Sequence, residues 1–113
     1  MSEAIRVLED GTIPKAKGTW GLTATNPIPI ASSEDGMAYL GRLAAEGDSY
    51  TIGIEFFGCM DVAEIGCRIE CYEIFDIATG RNLCDIHLLP DAEQTVWKAP
   101  KGFYLREALP EGD

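Results

Sequence analysis

Residues 66–87 read GCRIECYEIFDIATGRNLCDIH, and they hold three of the four cysteines and the only histidine. The stretch is a metal site, a thiol catalytic site, a disulfide framework, or a strand-turn-strand whose thiols fill a core. Its periodicity favours the last reading. From Ile65 onward, Ile65, Cys67, Ile69, Cys71 and Phe75 fall on one face of a period-two pattern, with Arg68, Glu70 and Tyr72 opposite. Such alternation marks a half-buried strand. DIATGR (76–81) reads as a turn closed by Gly80 in the left-handed region, where glycine carries no steric penalty. NLCDIHLL (82–89) then returns as the partner strand, and Pro90 and Asp91 stop it.

Working outward, SYTIGIEFFG (49–58) alternates again, with Ile52, Ile54 and Phe56 on one face. QTVWKA (94–99) predicts a short strand, PKG a turn, and FYLREA (103–108) a closing strand. TNPIPIASSEDG (25–36) reads as extended. Pro27 and Pro29 bias their predecessors away from helix and suit an edge strand or a connection across one end of a sheet. DGTIPKAKGTWG (10–21) is loop-like, and AIRVLE (4–9) is a short helix or a first strand. The ends, MSE and PEGD, read as frayed.

MAYLGRLAAEGD (37–48) fits two patterns. A helical stripe of Met37, Leu40, Leu43 and Ala44 would be capped by Ser32 or Ser33 and stopped by Gly47. Read with period two, Met37, Tyr39, Leu43 and Ala45 share a face and AEGD becomes a hairpin turn. Gly36 and Gly41 would each cost a helix about 1 kcal/mol relative to alanine, which favours the hairpin. The expected fold is a single mainly-β domain over 1–113, an antiparallel sandwich or barrel-like arrangement with room for one short helix. The alternative is α+β with a helix over 33–46.

The cysteine spacing, C-x7-C-x3-C-x12-C, contains no C-x2-C pair of the kind that builds zinc ribbons and redox motifs. Cys67 and Cys71 lie four apart on a strand, about 13 Å between α-carbons. A disulfide needs about 4.4–6.8 Å, and shared zinc ligation would require a broken strand. Cross-strand combinations survive this test. With Ile77 opposite Arg81, Cys71 faces His87, which gives a Cys–His dyad with Asp85 as an orienting carboxylate. Adding Cys84 gives a metal set of Cys71, Cys84 and His87. A one-residue change in the turn would move His87 to the other face. The structural alternative is core packing, since free cysteine behaves as a small hydrophobe.

The chain has 113 residues and a formal net charge of -10, from 19 acidic and 9 basic residues. Residues 1–48 carry 7 of the acids and residues 49–113 carry 12, so the excess is spread along the chain. Such a surface repels phosphate backbones and disfavours nucleic-acid and anionic-membrane binding, while it would steer a basic partner inward. No apolar run reaches bilayer-spanning length. The N-terminus lacks a basic region followed by an apolar one, so a cytoplasmic location with reduced thiols is expected. Nucleophile-elbow, phosphate-loop, dinucleotide and zinc-protease motifs are missing. No cofactor is expected. The acid pairs Glu9–Asp10 and Glu34–Asp35 sit by turn glycines, where they can cap.

VWKAPKGFYLR (96–106) is the one locally basic, aromatic-rich stretch. Trp97 and Tyr104 interleave with Lys98, Lys101 and Arg106 and, with Trp20, make a candidate ligand-binding set by stacking. The structural alternatives are a hairpin with lysines at its turn and a loop tryptophan that caps the core. The order TNPIPI (25–30), YLGRL (39–43), FDIATG (75–80), DIHLL (85–89) and APKGF (99–103) resembles a group of small, uncharacterised bacterial proteins with N-P-I-P, Y-L-x-R-L and A-P-x-G-[FY] segments. The resemblance spans most of the chain from residue 25 and implies a bacterial or phage accessory protein, with no activity to carry over. The functional expectation is a non-enzymatic interaction module that binds a protein partner, a basic one or a second copy of itself. Its competitor is a small Cys/His-dependent enzyme or metal protein.

Overall fold

The hairpin around Gly80 forms as its sequence dictates. Gly80 adopts φ +75° and its amide donates to the Asp76 carbonyl at 2.7 Å, while the Asp76 amide donates to the Arg81 carbonyl at 2.9 Å. The computed structural model describes residues 4–45 and 52–106. Along them run β1 (Ile28–Pro29), α1 (Ser33–Arg42), β2 (Leu43–Ala45), β3 (Ile52–Val62), β4 (Cys67–Asp76), β5 (Asn82–Leu89) and β6 (Phe103–Leu105). The fold is mainly β with one short helix, as expected. β3, β4 and β5 form an antiparallel meander, and β1 adds to β5 in parallel, giving the order β1-β5-β4-β3. A separate ribbon pairs β2 with β6. Among the described residues, no helix is long and apolar enough to cross a membrane.

The segment before β2 is a helix, which corrects the hairpin reading. Ser32 caps it, its hydroxyl accepting from the Asp35 amide at 3.1 Å. Glu34 and Asp35 in the first turn and Arg42 in the last complement the helix dipole. Period two would place Met37 beside Tyr39. Instead Tyr39 is completely buried and Met37 is 72% exposed. The two glycines weaken the helix intrinsically, but packing outweighs propensity: Tyr39 and Leu40 bury against the sheet, and the Tyr39 hydroxyl donates to the Lys98 carbonyl at 2.6 Å. The helix ends at Arg42 with Leu43 as its C-cap, so the stripe through Leu43 and Ala44 and the stop at Gly47 are corrected too: those two residues lie on β2. The end of AEGD, MSE, PEGD and the end of FYLREA fall outside the described residues.

Two other expectations change. QTVWKA is not a strand. It runs irregularly beside β1, holding it by one bond from the Val96 amide to the Pro29 carbonyl at 3.0 Å. AIRVLE is neither helix nor strand. Ile5 makes a single parallel bridge to Ala92, and Val7 is pinned by its amide donating to Glu93 Oε2 at 2.8 Å.

Both faces of the sheet bury side chains. On one, Val62, Ile69, Cys71 and Leu89 pack with Val7, Ile13, Ile65 and Ala92. On the other, Ile74, Ile86 and Leu88 pack with Ile28, Ile30, Tyr39, Leu40 and Leu43, so α1 lies over this second face. The prolines at 27 and 29, expected at an edge, are at an edge and fully buried.

Candidate functional site

The hairpin register decides the thiol question. Cys71 pairs directly with His87, and Asp85 pairs with Glu73 one step further on the same face. Cys84 pairs with Ile74 and shares its face with Ile86, the opposite side of the sheet. Cys71, Cys84 and His87 therefore do not converge. Among the described residues, no group of three His, Cys, Asp or Glu side chains is arranged to hold a metal ion.

The remaining Cys71–His87 pair lacks what a nucleophile needs. Burial pushes the Cys71 thiol above its ordinary range, and the Asp85 charge and then Cys59 push it further. Burial and Asp85 raise Cys84 to about 11. Burial also raises Cys67, whose thiol donates to the Ile65 carbonyl at 3.2 Å. A reactive thiolate requires the reverse, a neighbouring cation or helix N-terminus that lowers the pKa. His87 is buried, and its Nδ1 lies 3.2 Å from the Gly21 carbonyl, which also accepts the His87 backbone amide at 2.9 Å. A carbonyl only accepts, so Nδ1 carries the proton in that contact. His87 thus anchors the 18–26 loop to β5, and Asp85, exposed beside Glu73, does not orient it through this nitrogen.

The aromatic candidates are spent largely on the chain's own cations. Trp20 donates its indole N–H to the Gly11 carbonyl at 3.1 Å and lies under Lys98 Nζ, 4.7 Å from the ring centroid. Trp97 lies 6.2 Å from Tyr39, centroid to centroid, with the Arg42 guanidinium 5.0 Å from its ring. Tyr104 sits on β6 opposite Ala44 and is half-exposed. Arg106 is also engaged, donating to the Gly41 carbonyl at 2.9 Å. These contacts fasten the 97–106 segment to α1 and the 11–20 loop. Lysine and arginine over tryptophan faces act here as internal clasps.

The acid pairs likewise serve local structure. Asp10 accepts from Thr12 Oγ1 at 2.7 Å and from the Thr12 amide at 3.1 Å, and these bonds lower its pKa. Asp35 accepts from Thr95 Oγ1 at 2.6 Å, tying the helix start to the 92–96 segment.

The unexplained surface is β3. It is an eleven-residue edge strand, and its central residues Glu55, Phe56, Phe57, Cys59 and Met60 are all exposed. Phe57 is 78% exposed and Phe56 is 55% exposed, although Phe56 touches Tyr72 edge-to-face at 5.4 Å. Phe57 is the extra residue of a bulge, between the Phe56–Tyr72 and Gly58–Cys71 pairs, and Gly58 accommodates it with φ +149°. No backbone bond links the outer side of β3 to any other described residue. Behind this edge, Glu55 pairs with Glu73 and Glu73 with Asp85, so three carboxylates line up across β3, β4 and β5. Directly opposed like charges destabilise a sheet. The one ion pair among the described residues, Arg68 to Asp61 at 3.8 Å, does not involve the row.

Compared with known proteins, the chain matches no family model, no curated protein and no solved structure. Ile28 and Ile30 of TNPIPI and Tyr39, Leu40 and Leu43 of YLGRL all belong to the core against α1, so these two segments have structural roles. Sequence reasoning placed β3 as a strand but did not mark it as the site. The available signal was FFGCM (56–60), where two adjacent phenylalanines break the alternation.

Proposed function

We propose that this chain is a non-enzymatic protein-interaction module, of a bacterial or phage accessory kind, that recruits an extended segment of a protein partner onto β3. The single observation that carries the reading is the open edge. A long edge strand with two exposed phenylalanines is a template for strand addition; edges are otherwise blunted with prolines, short strands, charges or bulges, and of these β3 carries a bulge at Phe57 and one charge, Glu55, at its centre. β3 is long, proline-free and otherwise apolar at its centre. The raised thiols and the cation-covered faces of Trp20 and Trp97 weigh against the competing sites, although Trp97 and Tyr104 keep 44% and 47% of their surface exposed.

The test is a native mass spectrum of the protein purified gently from its own host, run beside Phe57→Lys. Phe57 is exposed and packs into neither core cluster, so the variant keeps its fold, which circular dichroism verifies. The expected result is a stoichiometric added chain on the parent protein that is lost from the variant. A bare monomer in both preparations, or a complex indifferent to the substitution, overturns the reading.

A further inference from the structure

Resting on that reading, we infer that the segment added to β3 is cationic, carrying a lysine or arginine opposite Glu55 and apolar residues opposite Ile54 and Phe56. The argument is one of charge and register. A new strand on the free edge continues the rows of the sheet. Its residue opposite Glu55 sits with its Cβ about 4.5–5.5 Å away, as the fourth member of the Glu55–Glu73–Asp85 row. Three carboxylates in succession repel one another, and a cation at the row's open end relieves that repulsion. The next row on that face, Gly58 with Cys71, sets no side chain on β3 beside Glu55, and a Cβ built on Gly58 would meet nothing within 4 Å.

The opposite face asks for different chemistry. Successive residues of the added strand alternate faces, so those opposite Ile54 and Phe56 meet an apolar surface already carrying the Phe56–Tyr72 contact. The recognised pattern is therefore cation alternating with apolar residue. A second copy fits less well, since it brings its own Glu55 and Asp61 to the interface and another net charge of -10.

The probes are three fluorescein-labelled decapeptides: alternating Lys-Val, alternating Glu-Val, and Lys-Val with alternate amides N-methylated. Polarisation is measured on the full chain at low and moderate salt. Lys-Val is expected to bind about tenfold or more tighter than Glu-Val at low salt, with the ratio falling as salt screens the row. Glu55→Gln with Glu73→Gln should remove most of that preference. Glu9→Gln with Asp91→Asn, equal in charge but outside the row, should keep it. Equal binding of Lys-Val and Glu-Val overturns the cationic inference and leaves strand recruitment standing. Equal losses in both double variants also overturn it, as general charge attraction. A concentration-dependent dimer abolished by Phe57→Lys would make the occupant a second copy, again sparing the edge. Failure of Lys-Val and Glu-Val alike to bind, or undiminished binding of the N-methylated peptide, overturns both proposals.

Discussion

The two edges of the four-stranded sheet are opposites. β1 is two residues long, follows Pro27, ends in Pro29 and is completely buried, and the 92–96 segment is fastened over it by the Val96–Pro29 and Ala92–Ile30 backbone bonds. β3 is eleven residues long, contains no proline, and leaves Phe56, Phe57 and Met60 in solvent. The same chain thus closes one edge with a short strand, prolines and a covering segment, and protects the other only by the bulge at Phe57. A protein that needed only to fold would gain solubility by treating both alike. The contrast separates residues that hold the fold from residues available to do something with it.

The largest effect is expected at the closed edge. Ile28 is fully buried, and its side chain fills the space a Cβ on Gly21 would occupy, 2.9 Å away. Ile28→Ala should cost about 2–5 kcal/mol, the range for emptying a packed aliphatic site, read as a lowered denaturation midpoint at unchanged slope. A loss below about 1 kcal/mol would mean that the β1 edge is not structurally committed.

At the open strand, a smaller loss is expected where β3 itself packs. A Cβ on Gly53 would stand 2.4 Å from the tip of the Phe75 ring, which lies across it. Gly53→Ala should cost about 1–2 kcal/mol by forcing the ring aside, and much less in a Phe75→Leu background. Equal costs in the two backgrounds would show that Phe75 is not the obstacle. This contact holds the base of β3 to β4 while the strand's outer side stays free.

How far the sequence foretold these edges depends on what each signal encodes. Period-two alternation located β3, β4 and β5, and Gly80 located the turn, because those features are local. The Cys71–His87 pair matches the expectation, but by a different route: Arg81 stands opposite Asp76, not Ile77, and an irregularity between Ile74 and Phe75 restores the count that places Cys71 against His87. Residues 33–42 misled because propensity argued against a helix that tertiary burial of Tyr39 and Leu40 pays for. Cys84, by contrast, is legible: it stands three residues before His87 on one strand, so strand alternation already puts the two on opposite faces and rules out a shared metal with Cys71. Tryptophans 20 and 97 read as free stacking surfaces because their cationic partners, Lys98 and Arg42, lie far away in sequence. The acidic row spans three strands and exists only once their registers are known.

A moderate effect should appear at alkaline pH. Burial first, and Asp85 second, raise the Cys84 thiol from 9.0 to about 11. Between those values the unfolded chain releases a proton that the folded chain keeps, so stability falls as pH rises through the window and is untouched below it. Cys84→Ala should flatten that fall, measured as denaturation midpoints from pH 8 to 11. An unaltered slope would mean that Cys84 is not protected beneath the sheet. In the native state Cys59, exposed on β3, should react with a thiol reagent well before Cys71 or Cys84.

The smallest effect is the one on which the comparison turns. Phe57→Ser removes a larger apolar side chain than Ile28→Ala does, yet the ring contributes almost nothing to either core cluster. Its expected cost is within about 0.5 kcal/mol, the range for surface positions. Size alone would predict the reverse order, and burial decides against size because only area removed from water stabilises the fold. A loss above about 1 kcal/mol would mean that Phe57 is part of the core and that β3 is held in place for stability. A null result leaves a phenylalanine at the centre of an open strand with no structural duty, which is the condition under which strand recruitment explains it.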